Sequence, residues 1–509
     1  MSHYTAHETS ETKRVADARP ARRHVITART FAALLALSVA ACAVGPDYRE
    51  PASDLAAFHN LPTTNGGRAV APSLDSWWTG FNDPMLVTVV QRALSQNLDL
   101  AAALARVQQA RAAAVSAGAQ LLPTLDANAQ ALTERQSVDG SLGTIASSLP
   151  GYRRNQQEYD VGIAASWEID IFGGLRRGAA AATAEEQAAE ADHLGTRISI
   201  AADAGDAYLQ VRGFQARLAT AQDQTEVDRH LLDLVRLRQS RGIANDREVA
   251  QAEALLLQAK ASVPMLRVEL EAQLNRLDVL MGVQPGTYAQ ELAKPGRIPD
   301  IPALTGDSGP VDMLRRRPDI IAAERRLAAS NERIGLAISD YYPKISLSGA
   351  LGFDSLSTSN LFTPKAFQPI GAGSLRWRLF DFGKVDAEVA QARGENAEAL
   401  AIYRQTTLKA AEDVENAFIA LTQTEARMQE LQEEVVSLVR ARNLSQQAYQ
   451  AGAIPLTDVL DADRQLLSTQ DELDSSRSDA ARAAVRSFRA LGGGWDPVRD
   501  PGPRVMPGA

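Results

Sequence analysis

The chain is written twice. Residues 166–174 read Ser-Trp-Glu-Ile-Asp-Ile-Phe-Gly-Gly and residues 376–384 read Arg-Trp-Arg-Leu-Phe-Asp-Phe-Gly-Lys, so Trp377 follows Trp167, and Gly383 follows Gly173, by 210 positions. The same offset pairs Gly242 with Gly452, Val249 with Val459, Leu256 with Leu466 and Gly282 with Gly492. In each copy a stretch of two-residue periodicity ends at Phe-Gly, and a long proline-free helical pattern begins. A repeat of this length means one module used twice, and the fold has to be assembled from two copies of it.

Over 509 residues the composition is 45% hydrophobic and only 5% aromatic. No apolar run reaches the ~20 residues of a transmembrane helix. If the chain spans a bilayer, it does so with strands. Its net charge of −9 argues against a nucleic-acid partner, which would want a basic face. His3, His7 and His24 precede the expected cleavage site, and His59, His193 and His230 are scattered singly. That spacing offers neither a metal cluster nor a catalytic triad, so no enzyme and no cofactor is expected.

Arg22, Arg23 and Arg29 precede an apolar stretch at 31–41, and Val39-Ala-Ala-Cys42 follows. A basic start, a short apolar region and small residues before the cut describe a secretory signal at 1–41. Cys42, the one cysteine, stands where a bacterial lipoprotein carries its lipid, palmitate included. An ordinary signal with an incidental cysteine is the alternative.

Beyond Cys42, residues 42–84 read as an extended, Pro- and Gly-containing segment closed by Trp77-Trp78 and Phe81-Asn82-Asp83-Pro84. Asp-Pro suits a helix start, and a helical pattern interrupted near Asn97 runs to Leu121. Strand periodicity follows. Leu125, Ala127, Ala129 and Ala131 alternate with polar residues, and after a polar stretch at 133–157 so do Val161, Ile163, Ala165, Trp167, Ile169 and Ile171. The second copy offers Ile345, Leu347, Gly349, Leu351 and Phe353, then Leu375, Trp377 and Leu379. Such alternation fits a membrane barrel, apolar outside and wet inside, and fits a soluble sandwich equally well.

The helices set the scale. From Gly173 to Gly242, and from Gly383 to Gly452, is 69 positions; each could reach ~100 Å. Shorter helices return at about 243–281 and 455–491. Val249, Leu256, Val263, Leu270 and Leu277 hold a seven-residue spacing that Val459, Leu466 and Leu473 continue, a coiled-coil seam. Pro264 predicts a local kink. Four strands per chain cannot enclose a water-filled pore, which needs more than ~8. Three chains would supply twelve strands and six helical modules.

These residues resemble the TolC family of outer-membrane efflux channels, in its NodT-like lipoprotein branch. The resemblance rests on the Cys42-to-Tyr48 segment, Trp77-Trp78, Phe81-Asn-Asp-Pro84, and the two strand–helix junctions at Trp167, Phe172 and Gly173 and at Trp377, Phe382 and Gly383. It implies a membrane α+β fold: a homotrimeric twelve-stranded outer-membrane β-barrel continued by a long periplasmic coiled-coil helical barrel. It divides the chain into a signal peptide (1–41), a lipidated periplasmic segment (42–84), a first efflux repeat (85–283), a linker (284–310), a second repeat (311–492) and a tail (493–509). The localisation implied is the outer membrane, lipid-anchored among its lipids, with a large periplasmic part.

The same resemblance implies a passive exit duct for small toxic compounds such as drugs. Its partners would be a periplasmic adaptor and an inner-membrane transporter, proton-driven. Asp458 and Asp461 match aspartates that form constricting rings in such channels. Three apart, they share one helical face; as first-turn acids they would also stabilise a helix N-terminus. Tyr449 matches a tyrosine that locks the closed tip, and Glu248 falls where its acidic partner is expected. Ile454 replaces an arginine that supplies a second lock in some members. The turns at Gly242 and Gly452 would receive the adaptor. An exit channel for protein secretion and a lipid-anchored coiled-coil adaptor are the competing functions; an adaptor would not need four bilayer-compatible strands.

Overall fold

The computed structural model describes residues 43–52, 56–60, 72–303 and 314–496. Cys42 and the signal peptide, part of the linker, and residues 497–509 lie outside the described residues. The chain separates into two compact units. One holds Pro123–Gly174 and Ser339–Leu379; the other holds Gly45–Leu122, Leu175–Ile338 and the chain from Phe380 onward.

The first unit is a four-stranded antiparallel sheet in the order β1 (Thr124–Arg135), β2 (Asn155–Ile169), β3 (Lys344–Ser355), β4 (Phe367–Arg376). Its register collects one parity from every strand. Ala127 sits opposite Ile163, Ile163 opposite Leu351, and Leu351 opposite Pro369; Leu125–Ala165 and Trp167–Leu347 lie on the same side. The other face takes Asp126, Asn128, Asp160, Ser166, Ser346, Ser348 and Asp354. Because side chains alternate strictly, this register gathers the apolar residues on one face, which turns polar toward the end at Thr133, Arg135, Asn155 and Gln157. Gly162 pairs with Gly352, and a Cβ at Gly162 would come within 2.9 Å of the Gly352 Cα, so the two backbones meet there as only glycines allow.

Two strand ends differ from the expectation. β2 stops at Ile169 and β4 at Arg376, so Trp377 and Leu379 lie beyond the sheet. Trp377 instead donates its indole N–H to the Tyr341 carbonyl at 3.0 Å, a bond that replaces the ladder. The polar stretch 133–157 is also shorter than expected: β1 runs to Arg135, β2 begins at Asn155, and a short helix at Ser141–Ala146 fills the middle.

The second unit is helical. α1 (Pro84–Gln96) starts on Asp83, whose carboxylate accepts from Met85 N and Leu86 N at 2.8 and 3.2 Å. Asn97 breaks the pattern and caps α2 (Leu98–Ala119), accepting from Leu100 N. The long helices α3 (Gly174–Ser240) and α6 (Lys384–Gln450) have 67 residues each. The returning helices α4 (Asp246–Leu280) and α7 (Leu456–Ala490) have 35 each. Between them α5 (Pro318–Ser339) matches α2 at 22 residues. α4 runs through Pro264 as one helix.

The seam is fuller than the seven-residue spacing alone. In α4 the buried Ala252, Leu256, Ala259 and Leu266 alternate by four and three, with half-buried Val249 and Leu270 in step. In α7 Val459, Leu466, Leu473 and Ala480 alternate with Thr469, Ser476 and Ala483, all buried. Small residues at the second position let helices approach closely. α3 is tied to α7 by the paired Arg217–Asp471 bridge at 2.7 and 2.8 Å. At mid-length Trp77 stacks on Phe488 of α7, 5.6 Å between ring centres, with Trp78 and Phe81 against its edges. The early extended segment is pinned too: Asp47 and Glu332 share Arg177, and the Tyr48 hydroxyl donates to Glu324.

Candidate functional site

The two turns that join long to returning helices have the same construction. Gly242 (φ +71) follows α3 and Gly452 (φ +77) follows α6. Ile243 N donates back to Arg238 O at 2.9 Å, and Ala453 N to Ala448 O at 2.9 Å, satisfying carbonyls the helix leaves open. No atom lies within 4 Å of where a Cβ would sit at either glycine, so backbone conformation alone requires the residue.

Around these turns the hairpins pack on each other through Leu231, Leu232 and Val235 of α3, Leu255 and Leu256 of α4, and Tyr449, Leu456, Val459 and Leu460. Tyr449 is buried, and Glu248 lies in the first turn of α4. Glu248 closes a capping box, accepting from Asn245 N at 2.9 Å while Asn245 accepts from Glu248 N at 3.1 Å. Among the described residues the Tyr449 hydroxyl has no hydrogen-bond partner. Its ring is covered instead by Arg238, whose guanidinium carbon lies 4.3 Å from the ring centre and whose Nη1 donates to Tyr449 O at 3.2 Å. Burial raises the Tyr449 pKa, the Arg238 charge opposes it, and the Glu248 charge adds to it. Ile454 joins the apolar cluster. The cation that residue 454 lacks reaches this tyrosine from α3.

Asp458 and Asp461 stand exposed in the first two turns of α7. Asp461 pairs with Arg464 at 3.1 Å, an ion pair the sequence reading omitted. Inside the helices lies a second acidic layer, also missed. Asp463 is 3% exposed and accepts from Arg442 Nε of α6 at 2.8 Å. Asp228 of α3 is 1% exposed; its Oδ1 accepts from Gln224 at 2.7 Å and its Oδ2 has no partner among the described residues. Burial, with the Asp463 charge adding, pushes the Asp228 carboxyl up to about 6, against the pull of Gln224 and Arg442. Burial likewise raises Asp463, opposed by Arg442. The repeat held the signal: shifted by 210, Asp228 aligns with Leu438 and Arg442 with Leu232.

The junction residues do local structural work. Trp167 lies on the apolar face of β2. Phe172 stacks on Tyr342 at 4.6 Å, and Gly173 and Gly383 take φ +80 and +83. Phe382 is 91% exposed at φ +57. Asp381 accepts from Gly383 N and Val385 N, fixing the start of α6. Among the described residues no group of side chains could hold a metal ion, and no helix is long and apolar enough to cross a membrane.

A sheet with an exposed apolar face and, among the described residues, two unpaired edge strands, in a chain with 67-residue helices, fits the class of outer-membrane channels. The chain is a member of the outer membrane efflux protein family, whose model matches residues 89–283 and 309–493. It is 32% identical over 450 residues to the pyoverdine export outer membrane protein OpmQ of Pseudomonas aeruginosa, covering 88% of this chain and 93% of that one. Nodulation protein T of Rhizobium leguminosarum bv. trifolii is 31% identical over 472 residues, covering 92% and 97%. Among solved structures, the outer-membrane channel OprN superposes with a TM-score of 0.81 at 34% identity, over 89% of this chain and 100% of that one. The protein is therefore an outer-membrane efflux channel with a large periplasmic part, of the kind that works with adaptors and inner-membrane pumps. Its relatives are channel proteins, not enzymes.

Proposed function

We propose that three copies of the chain close one twelve-stranded barrel and one helical duct, through which small toxic compounds such as drugs leave the cell. The register carries this reading. It puts Ile163, Leu351 and Leu375, 43%, 53% and 63% exposed, on one apolar face, and leaves an edge of β1 and an edge of β4 unpaired among the described residues. Twelve strands pair every edge and turn the apolar face to lipid. Exposed Leu408, Val436 and Leu444 of α6, with Met265 and Val268 of α4, are further surface for neighbouring copies to cover.

At the tip, six carboxylates from Asp458 and Asp461 would ring a narrow mouth and favour cations. The Gly242 and Gly452 turns are the proposed docking points of the adaptor hairpins, and Cys42 the lipid anchor. The substrate class follows the notion of a weakly selective polar duct, with specificity left to the transporter; OpmQ is named for export of one small compound, pyoverdine. The apolar sheet argues against a periplasmic adaptor, while protein secretion remains the alternative cargo.

The test is conductance of the purified protein in planar bilayers, wild type against Asp458→Ala/Asp461→Ala. A small cation-preferring conductance that grows and loses selectivity in the variant supports the gate. An unchanged pore moves the gate elsewhere, and no pore from folded protein overturns the duct.

A further inference from the structure

We propose that Asp228 is a proton-responsive positioning residue of the tip, setting through Arg442 and Asp463 how firmly the start of α7 is held. The proposal rests on the reading of the tip as the channel's gate and deepens it. Asp463, Arg442 and Asp228 come from three helices, α7, α6 and α3, and two of them are acids buried where the surroundings are apolar. One guanidinium serves two carboxylates. Arg442 is bonded to Asp463, Asp228 is bonded to Gln224 of its own helix, and the buried Oδ2 of Asp228 has no hydrogen-bond partner among the described residues. Arg442 and Asp463 are the charged groups that act on Asp228 from the facing helices.

An unpaired, buried carboxylate is expensive, whereas the neutral acid is tolerated. With a proton on Asp228, Arg442 belongs to Asp463 alone and α6 is clamped to α7. When Asp228 ionises, a second negative charge enters the same buried space, and the guanidinium is shared between two acids. The clamp on α7 then loosens. Asp463 lies two residues after Asp461, so the loosening acts on the turns that carry the exposed aspartates. Burial holds the transition near pH 6, where a compartment in exchange with the outside medium changes its acidity.

The experiment is conductance of the full chain in planar bilayers from pH 5 to pH 8, in wild type, Asp228→Asn and Asp228→Glu. Wild type is expected to pass from a low to a higher conductance with a midpoint near 6. Asp228→Asn, which cannot ionise, stays at the low level throughout, and Asp228→Glu restores a titration. The wild-type step also persists when Asp458 and Asp461 are both alanine, so failure of the aspartate ring leaves this proposal standing. A flat wild-type profile, or the same step in Asp228→Asn, overturns it. If no protein conducts at any pH, the duct reading has failed. Spin labels on Ala441→Cys and Gln465→Cys, in a Cys42→Ser background, then decide the proposal independently. Both positions are exposed, one on α6 and one on α7, on either side of the clamp. Their distance distribution broadens between pH 5 and pH 8 with Asp228 present and stays narrow in Asp228→Asn, and no difference between the two overturns it.

Discussion

Arg238, four residues before the first turn glycine, lies over the ring of Tyr449, three residues before the second, at 4.3 Å. The contact joins the end of α3 to the end of α6, and it is made by ring and backbone carbonyl, not by the tyrosine hydroxyl. A cation over a ring contributes about 0.5–2 kcal/mol, and a charged donor to a carbonyl about 1.5–3 kcal/mol. Arg238→Ala is therefore expected to raise the closed-state leak of the channel in bilayers, while Tyr449→Phe leaves it unchanged. A leak in Tyr449→Phe as large as in Arg238→Ala would mean that the hydroxyl holds the tip.

The two faces of the sheet are expected to respond oppositely to charge. Leu351→Arg places a guanidinium on the apolar face and costs about 2–4 kcal/mol at mid-bilayer depth. Ser348→Arg, on the polar face of the same strand, costs little. Heat-modifiable oligomers on a gel read the difference: Leu351→Arg dissociates at lower temperature, and Ser348→Arg melts with wild type.

Asp83 serves two roles at once. It caps α1, and its Oδ2 accepts from the Tyr208 hydroxyl at 2.6 Å, which in turn accepts from Arg212 Nε at 2.8 Å. Asp83→Ala removes the cap, about 1 kcal/mol, and leaves the buried Tyr208 donor unpaired, about 1–3 kcal/mol more. Asp83→Asn keeps the cap acceptor and should recover roughly half the loss in thermal unfolding.

The buried Asp228 makes stability depend on pH in a fixed direction. Its carboxyl is raised from 3.8 to about 6 in the folded chain, so the folded state binds a proton more tightly than the unfolded one. The stabilisation is complete below the unfolded value and is lost as pH rises through about 6. A difference of about two units corresponds to about 3 kcal/mol. Asp228→Asn is expected to melt above wild type at pH 8, with the advantage gone by about pH 4. Equal melting temperatures at both pH values would show that the carboxyl is not destabilised in the fold.

Much of this architecture is legible along the chain. The 210-residue offset announces two copies of one module, and the glycines at 242 and 452 mark where each long helix turns, because an αL residue must follow its last carbonyls. Alternation from Val161 to Ile169 specifies a strand with two unlike faces. All of these are local: a helix end or a strand parity is set by residues within a turn or two. What the sequence left open are relations between segments. Alternation gives each strand two unlike faces, but only pairing set Ile163 against Leu351 and Ala127 and gathered the apolar parity of four strands on one side. Trp377, just past the end of β4, is held by the Tyr341 carbonyl, a partner 36 residues away. Glu248 is used within its own helix, bonded to Asn245, a partner three residues away that spacing alone does not single out. Arg238, Asp228 and Arg442 carry no motif, since each gains its meaning from a partner over a hundred residues away or from a neighbouring helix that dries its surroundings. Sequence fixes what a residue can do locally; burial and long-range pairing, which only the packed helices supply, decide which of those capacities is used.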